Sequence, residues 1–262
     1  MKSLLIALSV ALSTYVSSGA VHAELTSKSS DATQVVQRAW QLFRQHAAAE
    51  QEDITLTMAK AQQTSSVKQL TRWTRFATTG EQVVLKFNQP QADAGMGLWL
   101  DRSDRAAQQI WLRMPSWIKA RRVSGERQQQ YFAGTDLTFE DNAQLSGEDI
   151  QAFTYRLLDE TEQGFWIEAK PKAGVESGYS RREIWIDRDY AINRIDYFDP
   201  AGQLLKSMEN KKLQKFPKGG WRPNQVVIEN YQEQRRTQID IQKRQFDSSI
   251  ASHMFSEGFL ED

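Results

Sequence analysis

The sequence predicts a mainly β protein in which one strongly curved antiparallel sheet wraps around helices. Three observations carry this. One apolar stripe of helical period lies near the start, at Val35, Val36, Ala39, Trp40, Leu42 and Phe43. From Asp53 onward the period changes to two, and alternation of apolar and polar residues recurs to the end of the chain. Turn-forming clusters separate the alternating runs at the spacing of a meander, which gives about ten strands. A closed barrel is the competing architecture.

Residues 1–23 read as a secretory signal peptide. Lys2 supplies the positive start, Leu4 to Val16 an apolar core, and Val21-His22-Ala23 a small-x-small cleavage site, so cleavage is expected before Glu24. The apolar run is too short for a membrane span. The chain has no cysteine, so no acylated cysteine can follow cleavage and no disulfide can form. An exported, unanchored protein is the expectation. Residues 24–262 carry no internal repeat and no low-complexity linker, which predicts a single domain.

Glu24 to Ser30 is a polar lead-in. Asp31 then suits a helix N-cap, and the apolar stripe predicts an amphipathic helix to about Ala49. The clearest strands are Ile54/Leu56/Met58, Val83/Leu85/Phe87, Phe153/Tyr155/Leu157 and Thr237/Ile239/Ile241. Turns are expected at Thr79-Gly80, Glu162-Gln163-Gly164, Asp187-Arg188-Asp189, Asp199-Pro200-Ala201-Gly202 and Gly219-Gly220. Arg182 to Asp187 and Ala191 to Phe198 are apolar on both faces, so each is covered twice or lines a cavity. The middle differs: a strand over Gln109 to Met114, then Pro115-Ser116, a basic stretch through Lys119, Arg121 and Arg122, and a second segment ending in Glu140-Asp141.

Composition excludes several functions. With 33 basic and 33 acidic residues the chain has no strong field, which argues against nucleic acid as a partner. Beyond His22 in the leader, only His46 and His253 are available, too few for a three-histidine zinc site and remote from any nucleophile motif. There is no Gly-x-Ser-x-Gly elbow, phosphate loop or His-Glu-x-x-His. No catalytic residue, metal or cofactor is therefore assigned. Glu140-Asp141 reads as a solvated acidic turn, since adjacent residues of an extended segment point apart. Eight tryptophans suit either a bulky sheet core or a large apolar ligand surface. Lys119/Arg121/Arg122/Arg127 reads equally as a charged loop or as a docking patch for anionic head groups or an acidic partner. Lys211/Lys212/Lys215/Lys218 reads as the ordinary charge of a loop or an edge strand.

Two central motifs resemble a known family. Ile110 to Val123 (IWLRMPSWIKARRV) looks like the pattern W-L-Y-L-P-x-hydrophobic-K-x-x-R-R-I, and Phe132 to Asp141 (FAGTDLTFED) looks like F-x-G-[ST]-D-F-[ST]-Y-E-D. Further matches fall at Lys170-Pro171, Ser177-Gly178-Tyr179, Trp185-Ile186-Asp187, Tyr197-Phe198-Asp199, Gly202, Lys206, Trp221 with Pro223, Thr237, Phe255 and Leu260. These are the marks of the outer-membrane lipoprotein-sorting proteins of the LolA-like group. Arg113, Leu137 and Phe139 depart from the pattern, where Tyr, an aromatic residue and Tyr are usual.

The resemblance implies a half-open β-barrel whose concave side is plugged by helices around an apolar cavity. It implies a non-catalytic, monomeric carrier that shields acyl chains of lipids or lipoproteins crossing the periplasm, with an inner-membrane transporter or exporter as a further partner. Each CH₂ buried is worth about 0.8 kcal/mol, so such a cavity needs no special chemistry. In this reading Trp99, Trp111, Met114, Trp117, Phe132, Leu137 and Phe139 belong to the cavity or its mouth, and Arg121 and Arg122 hold a head group or dock a partner. The alternatives are a periplasmic sensor or adaptor working with an exporter or envelope-stress regulator, and an enzyme using unrecognised carboxylates.

Overall fold

The computed structural model describes residues 30–60, 65–77, 80–103, 108–247 and 249–262. The expected leader and the start of the polar lead-in lie outside the described residues, as does Thr79.

Helix α1 (Ala32–Arg44) is followed by β1 (Ala49–Lys60), β2 (Ser66–Ala77), β3 (Gly80–Gln89), β4 (Gly97–Asp101), β5 (Gln109–Arg113) and β6 (Arg121–Arg122). A crossover spanning 123–152 carries α2 (Phe139–Gln144). Then come β7 (Phe153–Thr161), β8 (Gly164–Pro171), β9 (Arg181–Asp187), β10 (Ile192–Phe198), β11 (Leu204–Lys215), β12 (Trp221–Asn230), β13 (Arg235–Phe246) and a terminal helix α3 (Glu257–Glu261). All thirteen strands form one sheet in the order β6-β5-β4-β3-β2-β1-β13-β12-β11-β10-β9-β8-β7, antiparallel at every described pairing. Strands β6 and β7 end the order unpaired with each other, so the sheet is an open half-barrel and not a closed barrel.

The path explains the shape. The chain enters at the middle of the sheet with β1, meanders out to β6, crosses to the far edge at β7, and meanders back until β13 pairs with β1. The crossover thus joins the two edges of a curved sheet, and it runs through the concave side. Val123, Phe132, Leu137, Phe139 and Ala143 of the crossover share one core with the inward faces of the strands and with α1.

The helix expectation holds at its start. The Asp31 carboxylate accepts from the Thr33 amide at 2.9 Å, a side-chain N-cap, and Val35, Val36, Ala39, Trp40, Leu42 and Phe43 are all buried. Its end differs: α1 stops at Arg44 and β1 begins at Ala49, earlier than Asp53. The alternation is hidden there because Glu50 and Glu52 occupy inward, buried positions where an apolar residue is expected. Among the described residues the strands number thirteen instead of about ten; the strand expected over Gln109 to Met114 is β5, whereas β4 and β6 are too short to show a period.

The two-faced strands bury one face and pair the other. Ile184 and Ile186 enter the core, while outward Trp185 meets Trp166 edge-to-face at 5.8 Å. On the convex face of β2–β5 a second apolar cluster forms under the C-terminal segment, where Val84, Phe255 and Leu260 are buried with Trp73, Trp99, Trp111 and Phe259 around them.

Candidate functional site

The concave interior is the candidate site, and two features build it. The first is the segment Gly134 to Asp141, which the sheet holds by polar side chains. Gly134 takes a left-handed backbone (φ 77°) that a β-carbon disfavours, turning the chain down toward the sheet. The Asp136 carboxylate accepts from Thr237 Oγ1 at 2.8 Å, Arg235 Nε at 2.8 Å and Asn230 Nδ2 at 3.0 Å. Thr138 and Asp141 close a capping box on α2. Asp141 then accepts from Tyr179 Oη at 2.8 Å and pairs with Lys206 Nζ at 2.5 Å, and the same ammonium donates to the Asp136 carbonyl at 2.8 Å.

This overturns the reading of Glu140-Asp141 as a solvated turn: they are 8% and 2% exposed. Helical geometry sends them to different partners. Asp141 faces Lys206, and Glu140 accepts from Ser177 Oγ at 2.6 Å and the Gly178 amide at 2.9 Å. Burial nonetheless raises the Glu140 pKa, with Asp141 adding to the effect.

The second feature is a cluster that no local pattern announces. On adjacent strands β2, β1 and β13, Arg72 lies 2.5 Å from Glu52, and Arg244 Nε lies 2.8 Å from the other Glu52 oxygen. Arg222 Nε donates to Glu50 at 3.0 Å, and its Nη1 donates to the Phe43 carbonyl at the end of α1. Burial and the neighbouring Glu52 raise the Glu50 pKa; burial also works to raise that of Glu52, but Arg72 and Arg244 outweigh it and the net shift is downward. Arginines up to 192 residues from their carboxylate give no spacing signal; the one visible clue is a charged residue at every inward position where β1 begins.

Two small cavities lie between these features. One, about 30 Å³, is bordered by Arg72, Arg222, Arg244 and Glu52 together with Trp40 and Met208. The other, also about 30 Å³, is lined by Ile54, Leu70, Phe87, Phe132 and Leu137 among others. Arg72, Leu145 and Ile239 border both.

The structure gathers some of the expected residues and separates others. Phe132 and Leu137 line the apolar cavity, and Phe139 packs on Phe132 at 5.2 Å. Met114 is half-buried at the margin of the same core. Trp117 lies at the turn between β5 and β6, beneath the Arg121 guanidinium at 4.3 Å, beside Ile118, which is 89% exposed. Arg121 and Arg122 are exposed on the edge strand β6. Trp99 and Trp111 are not in the concavity. They stack at 6.4 Å on the convex face under the C-terminal segment, because Leu98, Leu100 and Ile110 take the inward positions. His46 stacks on Phe216 at 3.8 Å, and His253 lies 6.5 Å from Phe259, so the two belong to different neighbourhoods.

A family model described as "Uncharacterized protein" matches residues 79–262. Among solved structures, the fold is similar to a domain from Vibrio parahaemolyticus provisionally described as an outer membrane lipoprotein-sorting protein domain, with a TM-score of 0.81 at 19% identity over 88% of this chain and 98% of that one. A DUF1329 family protein from Desulfovibrio piger superposes with a TM-score of 0.79 at 22% identity, covering 87% and 97%. A LolA superfamily protein from Nitrosomonas europaea gives 0.68 at 14% identity, covering 88% and 100%. No curated protein matches the chain significantly in sequence.

Proposed function

The chain belongs to the family whose model spans residues 79–262 and is built on the LolA-like fold, and from that premise we propose that it is a non-catalytic periplasmic carrier. Its cargo is the acyl part of a lipid or lipoprotein, taken into the concave interior and passed toward the outer membrane. One observation carries the reading: an apolar cavity lies where sheet and crossover meet, with Phe132 and Leu137 of the signature segment in its wall.

Size adds a condition. Sites for small ligands run to about 300–1,000 Å³, whereas each cavity here is about 30 Å³. An acyl chain does not fit in that space, so in this reading loading separates α1 or the crossover from the sheet. No helix among the described residues is long and apolar enough to cross a membrane. The turn that presents Trp117 and Ile118 beside Lys119, Arg121 and Arg122 suits contact with a lipid surface or a membrane partner. The same turn favours the second reading, an adaptor whose contact with an exporter is tuned by the interior.

Native mass spectrometry of protein purified from the periplasm, followed by solvent extraction, tests the carrier reading. A stoichiometric acylated species is expected. An empty protein that also takes up no acyl-chain probe would sink the carrier and leave the adaptor.

A further inference from the structure

The buried ions of the first cavity do not balance. Arg72, Arg222 and Arg244 face Glu50 and Glu52, three guanidiniums against two carboxylates. Arg222 is 1% exposed and its Nη2 has no partner, although Nε and Nη1 are both used. The buried Thr74 hydroxyl, directly opposite Glu50 in the β1–β2 register, is also without a partner. Orphaned buried donors are uncommon and ask for an occupant.

A buried ion pair is weak evidence of a stabilising role, since well-packed apolar residues commonly serve a core as well. The chemistry fits something else. A guanidinium fork matches a carboxylate or phosphate oxygen pair, and the neighbouring cavity, which shares Arg72, Leu145 and Ile239, is apolar. A charged end beside an apolar end is the profile of an amphiphile.

We propose that Arg72, Arg222 and Arg244 receive the anionic head of an acyl ligand, a carboxylate or phosphate, whose chain occupies the adjoining apolar space. This rests on the carrier reading and specifies its cargo. Raised proton affinity at Glu50 would deepen the positive surplus when an anion enters.

The test compares cis-parinaric acid with its methyl ester, which keeps the chain and removes the charge, by fluorescence on the purified protein. The acid is expected to bind at least tenfold more tightly, and hexadecyl phosphate to displace it. Inorganic phosphate at millimolar concentration is expected not to. Equal binding of acid and ester overturns the anion site while leaving the carrier intact. Displacement by inorganic phosphate as effective as by hexadecyl phosphate overturns the amphiphile in favour of a free-anion site. No binding of any chain overturns the carrier reading itself. Arg222→Gln is expected to weaken the acid at least tenfold and leave the ester unchanged. Because Arg222 also holds the end of α1, Glu52→Gln supplies the opposite arm: it frees Arg72 and Arg244, so affinity for the acid rises severalfold while the ester does not move. A variant that shifts acid and ester alike counts against the site.

Discussion

Of the ionic clusters buried among the described residues, the two that border the crossover segment and the first cavity are built on different terms. Around the crossover, Lys206 and Arg235 meet Asp136 and Asp141, and none of the buried side-chain polar atoms in that group lacks a partner. At the other end of the interior, cations outnumber carboxylates and polar groups are left unpaired. The first arrangement fixes a connection to a sheet; the second leaves capacity for something that is not part of the chain. A buried charge is thus informative through its completeness, more than through its presence.

The largest expected effect breaks the balanced cluster. Lys206→Met strands Asp141 and the Asp136 carbonyl, and removing one partner of a buried pair costs about 3–5 kcal/mol. Urea unfolding measures it, and a loss under about 1 kcal/mol would mean the crossover is not held there. Leu137→Ala, in the wall between the clusters, is expected to cost about 2–5 kcal/mol, as core leucine truncations do. It also enlarges the apolar cavity, so affinity for a neutral acyl probe is expected to hold or rise; a fall in affinity would place the ligand elsewhere.

Glu140→Gln gives a smaller effect that depends on pH. Burial raises the Glu140 pKa in the folded state, with Asp141 reinforcing and Ser177, Gly178 and Arg182 opposing. The native state therefore holds this proton more tightly than the unfolded chain, and the term weakens folding as pH rises through the window from the ordinary carboxylate pKa to the raised one. The glutamine variant should lose less Tm than wild type as pH rises above about 4.5, the ordinary carboxyl range. Parallel curves would show that Glu140 ionises without cost. The smallest effect comes from the other face: Trp99→Phe removes an indole N–H that has no partner. Stability should change by about 1 kcal/mol or less, since no hydrogen bond is lost, and probe binding should be unchanged. Altered binding would extend the site to the convex side.

Much of this architecture is legible in the residues themselves. The stripe from Val35 to Phe43 is the buried face of α1, and the runs at Ile54/Leu56, Val83/Leu85/Phe87 and Thr237/Ile239 are inward faces of the sheet. The signature from Phe132 to Asp141 is visible as a motif, but its role as a pinned segment depends on Lys206, Asn230, Arg235 and Thr237, which only the fold brings near. Trp99 and Trp111 mislead because their strands are apolar at both parities, and neither parity announces which side is concave. Glu50 and Glu52 mislead in the opposite way: an inward carboxylate looks like the outer face of a strand until its arginine partners are known.

The path of the chain through the sheet also sets the order in which the protein can be made. The seam at the middle joins β1 to β13, so that Glu52 waits for an arginine 192 residues later. Local hairpins on either flank zip quickly, but closing so long a loop is an entropic cost that only the finished seam returns. A chain delivered N-terminus first therefore holds α1 and the apolar faces of β1–β6 without their final neighbours until almost its last residues arrive. Assembly ends at the centre of the sheet, and the interior exists as a compartment only after that final strand is in place.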